Sequence, residues 1–75
     1  MEKNIKYKLI KRKYQITERK EPSIGMTKTE VENSTWGKPE KINRTKTSYG
    51  THEQWCYINN KYIYFEDGIV TSIQD

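Results

Sequence analysis

The chain has one histidine and one cysteine, and they stand four residues apart as His52 and Cys56. A Cys-His pair is the pattern of a thiolate nucleophile activated by an imidazole base. On a strand, however, a separation of four puts both side chains on one face about 13 Å apart, at roughly 3.3 Å per residue. That exceeds hydrogen-bond reach, and no third group that would orient the base is evident, so Cys56 reads as a small buried apolar side chain. Glu66 and Asp67 are adjacent carboxylates followed by Gly68, a composition that serves a turn. Glu30 reads as a helix cap and Glu53 as a strand-edge charge, and neither belongs to an acid–base dyad. One Cys and one His fall short of the four ligands of a structural zinc site. The segment Gly25-Met26-Thr27 lacks the repeated glycines and the Lys-Ser/Thr pair of a phosphate loop. The expectation is a non-enzymatic chain with no catalytic residue, cofactor or metal.

The remaining chemistry is that of binding. Lys6, Lys8, Lys11, Arg12 and Lys13 surround Tyr7 and approach Tyr14, combining phosphate-neutralising charge with aromatic stacking capacity, as single-stranded nucleic-acid sites do. Residues 1–22 hold eight Lys/Arg against three Glu, a net of +5, whereas residues 23–75 hold six against seven acids, a net of −1. The formal charge of +4 therefore belongs to the N-terminal segment. The same lysines suit an edge strand protected from aggregation, and they also suit an acidic protein partner. All three readings stay open.

The elements that position these residues must fit in 75 residues, 32% hydrophobic and 32% charged, which is room for one small domain. A core of this size contributes roughly 3–5 kcal/mol net. A single cysteine forms no internal disulfide, so stability must come from packing, with six Tyr, two Trp and one Phe as its main source. No apolar run approaches the roughly 18 residues of a membrane span, and the charged N-terminus has no apolar stretch for a signal peptide. A soluble, cytoplasmic chain without membrane contact is expected.

Along the chain, Ile5, Tyr7 and Leu9 alternate with lysines in a strand pattern that slips phase afterwards, giving a basic N-terminal strand or arm over 1–22 closed by Pro22. Thr27 and Glu30 form a capping box, with Met26 and Val31 placed as a hydrophobic staple. They predict a helix from Lys28 to Thr35, stopped by Gly37 and Pro39 and held through Ile24, Met26, Val31 and Trp36. Strands follow at Ile42–Thr47, Gln54–Ile58, Tyr62–Phe65 and Ile69–Ile73, separated by Ser48-Tyr49-Gly50, Asn59-Asn60 and Asp67-Gly68. Two-residue loops at the last two turns would pair Trp55 with Tyr64, Cys56 with Ile63, Tyr57 with Tyr62, Phe65 with Val70 and Tyr62 with Ile73. One face would then carry Cys56, Ile58, Ile63, Phe65 and Val70 as the core. The other would carry Trp55, Tyr57, Tyr62, Tyr64, Thr71 and Ile73, an amphipathic aromatic face for the N-terminal segment, a second subunit or a partner to cover.

The strings IGMTKTEVENSTWGKPEKIN (residues 24–43) and EQWCYINNKYIYFEDGIVTSIQ (residues 53–74) resemble a small domain of Gram-positive bacterial and phage proteins. Its marks are a Gly-Met-Thr helix entry, a Trp-Gly-Lys-Pro exit, a Glu-Gln-Trp-x-Tyr strand and an acidic-Gly hairpin in this order. More distantly the plan resembles the SmpA/OmlA (BamE-like) lipoproteins and the β-lactamase-inhibitor-like fold. No lipobox cysteine is present, so the outer-membrane role of those lipoproteins does not carry over, and the basic segment lies outside the likeness. The resemblance implies a non-enzymatic scaffold that binds other proteins.

The fold expected is α+β, with one short helix on a three- to four-stranded antiparallel meander, as a BamE-like domain over 23–75 behind the basic arm. The function expected is a protein-binding module, such as a phage or bacterial accessory protein acting on a host factor. Its contacts would be Trp55, Tyr57, Tyr62 and Tyr64 together with the basic arm, since Trp, Tyr and Arg dominate interface hot spots. A nucleic-acid-binding accessory protein using Lys6, Tyr7, Lys8, Lys11, Arg12 and Lys13 is the alternative.

Overall fold

Thr27 opens the helix as its sequence context requires. Its hydroxyl accepts from the Glu30 amide at 3.2 Å, and the Glu30 carboxylate accepts from the Thr27 amide at 2.9 Å, so two amides that the first turn leaves free are satisfied reciprocally. The computed structural model describes residues 19–75, and the readings placed on residues 1–18 lie outside them; residues 19–22 are neither helix nor strand. Helix α1 spans Lys28–Glu32, three residues shorter than expected. The Ser34 amide and hydroxyl both donate to the Val31 carbonyl, at 3.0 and 2.5 Å, while the Thr35 amide turns to the Lys20 carbonyl at 2.9 Å. The acceptor that would carry the helix onward is thus taken early.

Four strands follow, β1 (Lys41–Thr47), β2 (Gly50–Tyr57), β3 (Lys61–Glu66) and β4 (Ile69–Gln74), in one antiparallel sheet of order β1-β2-β3-β4. The turn residues behave as their types dictate. Asp67 and Gly68 have φ of 51° and 84°, and Asn59 and Asn60 have φ of 64° and 60°. At the start of β2, Gly50 has φ 140°, and a Cβ there would lie 2.7 Å from Asp67 Oδ1. Glycine lets the Asp67 carboxylate reach the Thr51 amide at 2.9 Å, while the Asp67 amide donates to the Thr51 carbonyl at 2.8 Å.

The register corrects the expected faces. Ile58 joins Asn59 and Asn60 in a three-residue loop, so Tyr57 pairs with Lys61, Trp55 with Ile63, Cys56 with Tyr62 and Gln54 with Tyr64. A shift of one residue exchanges the faces of β2 relative to β3. Phe65 does pair with Val70, but a bulge at Tyr64/Phe65 lets Tyr62 meet Gln74 instead of Ile73, and Ile73 turns inward with Val70. The core is Val31, Trp55, Ile63, Phe65 and Val70, with Met26, Trp36, Tyr57 and Ile73 packed against it. Cys56 is only partly buried and Ile58 is exposed, so neither is core; Ile24 is likewise exposed and does not hold the helix.

The sheet therefore has two different sides and two different edges. Helix α1 and its flanks cover one face. Along β4, the Gly25 amide donates to the Val70 carbonyl and the Val70 amide to the Met26 carbonyl, both at 2.9 Å, and Thr27 bridges Ile69. At the other edge every residue of β1 is exposed. No helix among the described residues is long and apolar enough to cross a membrane.

Candidate interaction surface

The four aromatic residues expected to share a binding face are divided between the two sides of the sheet. Trp55 is 1% exposed and packs on Phe65 with ring centroids 4.5 Å apart, so it supports the core and presents nothing to a partner. Tyr57 lies on the same side. Its ring meets Trp36 edge-on at 5.2 Å and its hydroxyl donates to the Gly37 carbonyl at 2.8 Å. Burial, with the charge of Glu32 behind it, pushes its phenol up to about 12. Lys61 Nζ sits 4.8 Å from the centre of the Trp36 ring, a cation–π contact that closes this corner.

Tyr62 and Tyr64 lie on the opposite face, which no element among the described residues covers, with ring centroids 6.4 Å apart and partial exposure. A chain of side-chain hydrogen bonds crosses all four strands here. Asn43 Nδ2 donates to Gln54 Oε1 at 2.9 Å, Gln54 Nε2 to the Tyr64 hydroxyl at 3.4 Å, and that hydroxyl to Gln74 Oε1 at 3.0 Å. The sequence reading missed this chain, because one residue of loop length decides whether Gln54 or Trp55 accompanies Tyr64. Beside it, Asn43, His52, Gln54, Tyr64, Glu66 and Thr71 are among the residues lining a shallow concavity of about 310 Å³.

Glu53 is a further residue that the sequence reading placed wrongly. It is 4% exposed, because it shares a face with Trp55 and Tyr57 rather than standing at the strand edge. Its carboxylate accepts from Lys28 Nζ of α1 at 2.8 Å, Arg44 Nε of β1 at 2.7 Å and Trp55 Nε1 of β2 at 2.8 Å. Desolvation by burial pushes the carboxyl up; the donations from Lys28, Trp55 and Arg44, with the Lys28 charge, outweigh it and hold the group at about 2. One carboxylate thus ties the helix and the first strand to the core. The alternation Glu53-x-Trp55-x-Tyr57 was the available signal, since a period of two puts all three on one face.

His52 and Cys56 lie on one face of β2, four residues apart. His52 Nδ1 stands 3.7 Å from Glu66 Oε2, and Cys56 Sγ is 3.6 Å from Asn43 Nδ2, so each is turned to a neighbouring strand rather than to the other. Among the described residues, no group of three or more His, Cys, Asp or Glu side chains converges as a metal site. Lys6, Tyr7, Lys8, Lys11, Arg12 and Lys13 lie outside the described residues. Comparison with protein-family models, curated proteins and solved structures finds no match.

Proposed function

We propose that the chain is a protein-binding module whose contact surface is the uncovered side of the sheet, centred on Tyr62 and Tyr64, as in an accessory protein acting on a host factor. The observation that carries this reading is the hydrogen-bonded row Asn43–Gln54–Tyr64–Gln74 on a face that no described element covers. Tyr64 joined to amide side chains across four strands, with Tyr62 beside it, forms an amphipathic surface whose hydrogen-bonded side chains are already ordered, and an ordered surface loses less entropy on binding. Tyrosine is also enriched where proteins meet. Shallow relief suits a protein surface better than a small substrate, which binds in a deeper, more enclosed pocket.

The test is affinity capture from a bacterial lysate with three full-length chains: the unaltered protein, a Tyr62→Ser/Tyr64→Ser variant, and one with Lys6, Lys8, Lys11, Arg12 and Lys13 changed to Gln. Capture that survives nuclease, persists in the Gln variant and is lost with the tyrosines supports the reading. Binding that needs the basic residues, vanishes with nuclease and falls steeply between about 50 and 200 mM salt assigns the chain to nucleic acid instead. Light scattering on the same samples detects a second copy as the occupant of this face.

A further inference from the structure

The two edges of the sheet are treated differently, and the difference identifies a kind of partner. β4 is covered at its start by Gly25–Thr27, whereas β1 ends the sheet, and no backbone of the described residues pairs with its outer side. Ser48-Tyr49 is a two-residue loop, so its flanking pair Thr47–Gly50 is a hydrogen-bonded pair, and such pairs recur at every second residue. Thr47, Thr45, Asn43 and Lys41 therefore turn their backbone groups to β2. Ile42, Arg44 and Lys46 turn theirs outward. An edge of this kind is a template for one more strand.

Its side chains select which strand. Lys41–Thr47 contains Lys41, Arg44 and Lys46 and no acid. Arg44 and Lys46 lie on the helix-covered side with Ile42, and Arg44 gives only its Nε to Glu53; among the described residues this leaves the other N–H groups of its guanidinium for a second carboxylate. Edge lysines discourage pairing between like edges. A second copy pairing through β1 would set these cations against themselves, and residues 1–22, at a net of +5, would be repelled likewise. We infer that β1 accepts an extended acidic segment of a partner protein as a fifth strand, with carboxylates at alternate positions beside Arg44 and Lys46 and an apolar side chain beside Ile42. This rests on the protein-binding reading above and names the chemistry of the partner.

The probe is a blocked peptide, Thr-Glu-Thr-Glu-Thr-Val-Thr, beside Thr-Lys-Thr-Lys-Thr-Val-Thr, each added to the full-length ¹⁵N-labelled chain. The expected result is slowed amide exchange at Ile42, Arg44 and Lys46 with the acidic peptide, and affinity at least about tenfold weaker for the lysine peptide. Ile42→Pro removes an outward N–H without touching the β1–β2 ladder, and it should abolish binding that Ile42→Ala retains. Lys46→Glu should weaken the acidic peptide and strengthen the basic one. Unchanged exchange at these three amides with millimolar peptide, or equal binding of both peptides, overturns the proposal. So do shifts confined to residues 1–22 or to the Tyr62–Tyr64 face; the last would leave the protein-binding reading standing, whereas loss of all capture in the lysate experiment removes that reading itself.

Discussion

Trp55 donates its indole N–H to the Glu53 carboxylate at 2.8 Å, two residues back along β2 on the same face. A core aromatic therefore satisfies its polar atom with the carboxylate that also gathers Lys28 and Arg44. Apolar packing and two ion pairs, Lys28–Glu53 and Arg44–Glu53, meet at one point.

The pH dependence follows from that meeting. Glu53 ionises near 4.5 in an unperturbed chain and at about 2 in the fold. Because the folded value is the lower one, this group favours the folded state fully above pH 4.5, and the contribution is lost as pH falls towards 2. A displacement of that size corresponds to roughly 3 kcal/mol. Urea midpoints of the unaltered protein should drop over this window. Glu53→Gln should lose most of the contribution at pH 7 and show a flatter profile below pH 4.5; parallel profiles for the two proteins would contradict the assignment.

Tyr57 gives the opposite sign. Its phenol is raised from 10 to about 12, so its contribution is complete below pH 10 and disappears as pH rises through 12. Ultraviolet titration should show a tyrosine step near 12 that is absent in Tyr57→Phe. Loss of the bond to the Gly37 carbonyl should cost about 1 kcal/mol at pH 7, read from urea unfolding.

Much of the fold was legible because its signals are local. The Thr27/Glu30 box and the Asp67-Gly68 turn each depend on a few neighbouring residues and stand where their residue types put them; all four strand runs form as well, although β2 begins at Gly50 rather than Gln54. Which face is buried depends on a count. Ile58 belongs to the loop, and Thr71 is the extra residue between Val70 and Ser72, which pair with Phe65 and Tyr64. Either residue alone changes the parity of a strand. Trp55, Tyr57 and Cys56 were misplaced together for that one reason, and Glu53 because the expected strand began after it, at Gln54, whereas β2 begins at Gly50; Tyr62 and Tyr64 stayed on the open face because the error moved β2 past them.

The same geometry makes the loop length less critical than the count suggests. Deleting Ile58 leaves Asn59-Asn60 as a two-residue connection between Tyr57 and Lys61, and both asparagines already have the positive φ such a loop needs. The variant should keep Trp55 buried, seen as unchanged tryptophan emission, with stability altered by less than about 1 kcal/mol. Loss of cooperative unfolding would mean that the loop, rather than the core, sets the register.

The most direct test of the interaction surface is site-specific photo-crosslinking. Benzoylphenylalanine is placed either at Ser72, exposed and paired with Tyr64 on the open face, or at Thr29, exposed on the helix side, in the full-length chain, which leaves the tyrosines intact. A discrete adduct from position 72 and none from position 29 is the result expected of a protein-binding sheet. An adduct from position 29 alone, or from neither, would contradict it.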